Sequence, residues 1–194
     1  MFDPDGILSY SMPQGEKRGP EIDLFDLTYD QNSTDGHLSG GLGQLTDGVE
    51  GHSNFRLDPD GRGRKGYEWV GWKNDSFLEN RAGDEVGIRP PVEIVFTFDR
   101  VRNFSSALFH CNNMFSKDVR VFRRAVLYFG VAESAYQSSP VVFDHQRDSL
   151  VEFARNVVVP IPHRIARFVR VLLHFDARWL LLSEVRFESG ELMV

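Results

Sequence analysis

The chain has 194 residues, 41% of them hydrophobic and 16 of them phenylalanine, which suits one globular domain with a sizeable core. A formal net charge of −6 argues against a binder of phosphate backbones, which normally carries a basic excess. No run of about 18 uncharged apolar residues offers a membrane span, and Asp3, Pro4 and Asp5 interrupt any leader-like apolar core, so an extracellular chain of this kind reads as a piece of a longer precursor.

Residues 1–20 are rich in Gly, Pro and charge and read as a linker or strapped-down lead-in; 21–188 read as the domain and 189–194 as a tail. Glu21–Tyr29 alternates apolar and polar positions, with Ile22, Leu24 and Leu27 on one side, and is expected to be a strand. A turn at Asp30–Gly36 follows. Next comes Gly40–Gly51 (GGLGQLTDGVEG), in which glycines allow positive φ while Gln44 and Asp47 bring side-chain oxygens three residues apart. Such a loop is read either as a tight, water-facing turn or as a cradle for a hard cation such as calcium. Asp58–Gly66 and Gly83–Pro91 are further exposed connections.

Val92–Asp99 is the clearest strand, with Val92, Ile94, Phe96 and Phe98 on one face and Glu93, Thr97 and Asp99 on the other. Ser106–Phe115, Val119–Val131, Val141–Phe143 and Asn156–Pro160 read as strands as well. Ala166–Phe175 puts Val169, Val171, Leu173 and Phe175 on one face. In Trp179–Phe187, Leu181, Ser183, Val185 and Phe187 alternate against Leu182, Glu184 and Arg186. No window sustains a helical stripe over three turns, so short strands with turn signals between them predict an all-β sandwich or barrel.

Chemistry-bearing motifs are sparse. The six histidines have no metal-binding spacing, and no nucleophile elbow, Walker loop or kinase glycine loop occurs, so no enzyme is expected in this chain. The single cysteine, Cys111, forbids an intramolecular disulfide and by itself favours a reducing compartment. Three sequons, at Asn32, Asn74 and Asn103, point the other way, toward a secreted glycoprotein. Tyr67, Trp69 and Trp72 are read as core anchors or as an aromatic platform. Arg120, Arg123 and Arg124, like Arg164, Arg167 and Arg170, are read as paired or solvated surface charge.

Thr34–Gly36 (TDG), Gly40–Gly51, Gly66–Trp72 (GYEWVGW), Asp75–Phe77 (DSF), His110–Met114 (HCNNM), Phe122–Arg124 (FRR) and Trp179–Glu184 (WLLLSE) form an ordered set. In that order they resemble the discoidin-like extracellular domain of the discoidin domain receptors, collagen-activated receptor tyrosine kinases, over about Asp5 to Phe187. The resemblance implies an antiparallel jelly-roll β-sandwich of the galactose-binding-domain-like type, in the extracellular part of a single-pass membrane protein. It implies a structural Ca2+ held by Gln44, Asp47, the Val49 carbonyl, Ser183 and Glu184, with Asp30 where the family has an asparagine. It also implies that Cys111 lacks its family partner, at a position that looks like Val171 here, and is a buried thiol; an exposed thiol or an intermolecular bridge is the other reading.

The partners implied are the adjacent discoidin domain of the same receptor, collagen through the parent receptor and not directly, and a receptor dimer, with no nucleic acid. A glycan near the Asp30–Gly36 turn restrains activation in the family, and the sequon at Asn32 is shifted from that place by a few residues. The expectation from another class is a carbohydrate-binding jelly-roll module, which would show exposed aromatics at one rim.

Overall fold

The computed structural model describes residues 5–31, 33–75 and 89–192. Twelve strands appear in chain order: β1 Ile7–Pro13, β2 Lys17–Arg18, β3 Ile22–Asp23, β4 Ser33–Thr34, β5 His37–Gly41, β6 Val70–Lys73, β7 Val92–Cys111, β8 Arg124–Ala132, β9 Ala135–Tyr136, β10 Val141–Asp144, β11 Arg155–His174 and β12 Trp179–Gly190. The only helical turns among the described residues are 3-10 turns at Gln44–Thr46 and Phe115–Lys117.

The architecture follows from two strands of 20 residues, β7 and β11, that belong to both layers of a curled antiparallel sheet. The first half of β7, Val92–Thr97, lies between β1 and the second half of β11. Its second half, Asn103–Cys111, lies between the first half of β11 and β12. One layer therefore runs β4-β5-β1-β7-β11-β8-β10, and the other adds β12 and β6 beside the far ends of β7 and β11.

The corner is built chemically. The β11–β7 register breaks between Pro160 and Arg164 and again between Ala166 and Phe168. Pro162, inside the first break, has no N–H to give a ladder, and irregular pairing sharpens twist and bend. Opposite it, the Arg102 guanidinium makes a two-pronged contact with Asp99 at 2.8 and 3.0 Å. Folding β7 back on itself brings Phe98 against Phe104, centroids 4.7 Å apart and edge to face, and Phe187 against Phe96 and Phe98 at 5.0 and 5.3 Å. These aromatic edges fill the main core between the layers. A smaller cluster of Leu24, Phe55, Trp69, Val119, Trp179 and Leu181 lies outside β12.

Most strand expectations hold, with their predicted inward faces buried, but four features differ. Predicted pairs of short strands merge into the continuous β7 and β11. Residues 7–13, expected within a lead-in, form β1 in the interior of the sheet, because Ile7, Tyr10 and Met12 supply an apolar face. The expected strand Glu21–Tyr29 is regular only at Ile22–Asp23. Beyond it, side chains replace a ladder: Gln14 Oε1 accepts the Asp26 N–H at 2.7 Å, and Gln44 Oε1 accepts the Leu27 N–H at 2.8 Å. Finally, β12 does not alternate simply between core and solvent, for Leu180 through Val185 are all buried. Asn32, Ser76 and Phe77, and residues 83–88 of the Gly83–Pro91 connection lie outside the described residues.

Candidate functional site

The glycine-rich loop crosses over β12, and an irregularity in β12 meets it. Leu180 and Leu182 point into the main core, as do Val185 and Phe187, so the inward phase jumps by one residue. The β12–β7 register shifts between Leu182 and Glu184, where that jump occurs. The bulge lets Ser183 and Glu184, which simple alternation would send to opposite faces, both reach the loop. Ser183 Oγ accepts the Gly51 N–H at 2.9 Å, and Glu184 accepts the Gly48 N–H on Oε1 and Oε2 at 3.2 and 3.1 Å.

Glycine is required where the loop makes its closest approaches. Gly48 has φ of 80°, which turns its N–H onto the Glu184 carboxyl. At Gly43 a Cβ would run into the Asp26 carboxylate. Between them the Gln44–Thr46 turn is buried, and Gln44 is a brace: Oε1 accepts from Leu27, and Nε2 donates to the Tyr67 carbonyl. Asp47 accepts the Val49 N–H at 2.9 Å and shares a hydrogen bond with Glu184. Burial, then the neighbouring Asp47 carboxylate, pushes Glu184 up to about 8; Asp47 is raised too, first by burial. Two carboxyls, both raised, thus stand together where loop and strand cross.

Of the sequence-predicted oxygens, Gln44, Asp47, Val49, Ser183 and Glu184 lie on this crossing. Asp30 lies beside it, exposed, its carboxylate accepting the Leu42 N–H at 2.9 Å. Among the described residues, no group of three or more His, Cys, Asp or Glu side chains is gathered at metal-binding spacing. The side chains brought to the crossing are two carboxylates, an amide and a hydroxyl. A hard cation such as calcium uses oxygens of these kinds, and the Gln44 and Ser183 oxygens each keep a second lone pair.

Two residues at the site escaped the sequence reading. Asp26 is buried, accepting the Gln44 N–H at 2.9 Å and the Tyr10 hydroxyl, and burial raises its pKa. It shares the period-two face of Ile22 and Leu24, and an acid on an apolar face was its available signal. His110 stacks on Trp69, centroids 5.5 Å apart, with Nε2 3.1 Å from the Gly51 carbonyl and Nδ1 2.7 Å from Asn156 Oδ1. It braces the end of the loop through groups distant in sequence.

The family described as "Discoidin domain-containing receptor 1/2, DS-like domain" matches residues 6–189. The chain belongs to this family. Its DS-like domain is 36% identical to human epithelial discoidin domain-containing receptor 1 over 95% of the chain and 20% of the receptor. It is 31% identical to discoidin domain-containing receptor tyrosine kinase B of Caenorhabditis elegans, over 96% of the chain and 21% of that protein. The chain thus spans about a fifth of the length of the curated relatives it matches, and the family matched is the DS-like domain, not a kinase region.

Solved structures share the jelly-roll fold at low identity. The C-terminal domain of a Bacteroides fragilis chitobiase has a TM-score of 0.50 at 10% identity, covering 98% of this chain and 97% of its own. A Clostridium perfringens module, CpGH89CBM32-5, solved with GalNAc-β-1,3-galactose, also scores 0.50, at 9% identity, covering 96% and 97%.

The remaining sequence features of the DS-like domain take structural places. Trp69 and Trp72 are buried in the two cores, and the Tyr67 ring carries the Arg62 guanidinium 4.5 Å from its centroid. Cys111 is buried, and burial pushes its thiol far up; it shares the main core with Val171. Arg124 pairs with Asp144 at 2.6 Å and Arg170 with Glu93 at 3.0 Å, while Arg120, Arg164 and Arg167 hydrogen-bond to main-chain carbonyls. Asn74 is fully buried, a placement with no room for a glycan on the folded chain, whereas Asn103 is partly exposed.

Proposed function

We propose that this DS-like domain is a regulatory module in the extracellular part of a longer, single-pass, collagen-responsive receptor tyrosine kinase, packing on an adjacent discoidin domain. Family membership and the one-fifth coverage of relatives named as receptors support this reading. Collagen contact belongs to that neighbour, so this chain by itself shows no saturable collagen binding at physiological salt. Saturable capture by immobilised collagen overturns that part.

Its proposed cofactor is calcium, with a structural role. The observation that carries this is the Asp47–Glu184 carboxyl pair at the crossing of the glycine loop and β12. Gln44, Asp47, the Val49 carbonyl, Ser183 and Glu184 would hold the ion, with Asp30 at the margin. A bound calcium supplies positive charge to paired carboxylates and ties residues near 47 to residues near 184. In a chain with one cysteine, such a long-range tie acts as a disulfide would.

The test is thermal unfolding in excess EDTA and again with calcium restored. A ligand at about 100 times its Kd adds about 2.7 kcal/mol. For a domain of this size that corresponds to a Tm rise of about 5–10 °C. Asp47→Ala with Glu184→Ala removes the rise. A wild-type Tm indifferent to calcium overturns the metal site and leaves the fold standing. The burial of Trp69 and Trp72, and the cover over Tyr67, support the receptor-module reading over a carbohydrate-binding one built on these three rings.

A further inference from the structure

Away from the calcium loop, the smaller core carries an unusual arginine. The Arg18 guanidinium lies between the rings of Phe55 and Trp179, 5.2 and 5.3 Å from their centroids. Its Nη2 donates to the Lys117 carbonyl at 2.7 Å, whereas Nη1 is buried without an acceptor. Its cationic neighbours include Arg56 and Arg178, which add repulsion to the cost of burial, with Asp118 the compensating carboxylate. Neither Arg18 nor Arg56 enters an ion pair among the described residues. Most surface arginines elsewhere do, as with Arg124 and Asp144 or Arg147 and Asp176.

The surroundings continue the imbalance. The β2–β3 ribbon pairs Lys17 with Asp23 and Arg18 with Ile22, and Ile22 also bridges to Lys65, which lays the 58–66 turn alongside. Arg18, Arg56, Lys65, Pro20, Glu21 and Ile22 line an open pocket of about 340 Å3. Beside it, Lys17 and Arg64 share the single carboxylate of Asp23 at 3.7 and 3.8 Å. Lys65 holds Glu21 at 2.7 Å, an exposed pair of little worth that an incoming anion can exchange. Five cations thus face three carboxylates, Glu21, Asp23 and Asp118, on a chain whose net charge is −6.

We propose that this pocket and its rim are a binding site for a sulfated polysaccharide chain, gripped by Arg56 and Lys65 in front of Arg18 and flanked by Lys17 and Arg64. Guanidinium forks match the paired oxygens of sulfate and carboxylate, and the rim extends the positive surface beyond one oxyanion. A nucleic acid strand fits poorly, since Phe55 and Trp179 are covered by Arg18 and offer no ring on which a base could stack. This proposal goes beyond the receptor-module reading and stands apart from the calcium loop.

The experiment is affinity for a size-defined heparin oligosaccharide, measured by titration across a salt series. The wild-type chain is compared with Arg56→Glu/Lys65→Glu and with Arg124→Glu at the far edge of the sheet. The expected result is salt-sensitive wild-type binding, at least about tenfold weaker in the double reversal, with the log–log salt slope reduced by about two. Arg124→Glu keeps wild-type affinity, and matched Tm values confirm that all three fold. Absence of binding overturns the proposal, as does equal loss in Arg124→Glu. Equal binding of desulfated heparin overturns it as well. Displacement by inorganic sulfate at equal charge overturns the polymer in favour of a small oxyanion.

Discussion

Asp26, Asp47 and Glu184 set the chemistry of the loop crossing, and each makes a distinct prediction. Glu184 holds its proton in the folded, metal-free chain up to about pH 8, while the unfolded chain releases it in the ordinary carboxylate range. Between those pH values the folded state binds more protons, so stability of the metal-free domain falls as pH rises from about 5 to 8. One such group limits the slope to about 1.4 kcal/mol per pH unit. Denaturant melts in EDTA across this range check it, and calcium is expected to flatten the decline by stabilising both ionised carboxylates. Asp26 has a different role: it answers the Gln44 N–H and the Tyr10 hydroxyl inside the protein. Asp26→Ala leaves those donors without an acceptor and costs about 1–3 kcal/mol, read as a lowered denaturation midpoint.

At the scale of elements, irregularities in strands and turns decide where function sits. A bulge in β12 delivers two consecutive residues, Ser183 and Glu184, to the same loop. The segment 145–154 has no ladder beyond the His145 N–H, yet it is closely bound: Asp148 accepts from the Leu150 and Val151 N–H groups at 2.8 and 3.1 Å and from Arg155 at 2.7 Å. Asn113 clamps the Asp148 and Val151 carbonyls. Arg155 first, then the two N–H groups, hold the Asp148 carboxyl down at about 2. This hub keeps Leu150 and Phe153 presented to solvent, 91% and 67% exposed. Asp148→Ala releases it, with faster amide hydrogen exchange at Leu150 and Val151 and little change in β7 or β11.

For the whole molecule, a curled sheet built on two bent 20-residue strands carries both cores, the glycine-rich loop and the basic pocket. Its surface also bears on glycosylation: intact mass of protein secreted from animal cells is expected to show a glycan at Asn103 and none at Asn74, which the fold buries. Much of this was legible beforehand. Period-two patterning in Val92–Asp99 and Ala166–Phe175 fixes strands and inward faces, because a pleated strand sends alternate side chains to opposite sides, whereas in Trp179–Phe187 it finds the strand but the bulge moves the inward face by one residue. The ordered motifs identify the family, and the loop and SE pair suggest the candidate ligands. Local pattern does not say that Val92–Cys111 is one strand folded over on itself, since the corner depends on Arg102, Asp99 and a register break with β11. Nor does it reveal Asp26 or His110 as braces, because their partners lie far away in sequence. The sequence by itself determined strand periodicity and family, because both are local or ordered along the chain. Tertiary structure alone decided which oxygens meet and which cations go unpaired, because burial and Coulomb forces act between residues that only folding brings together.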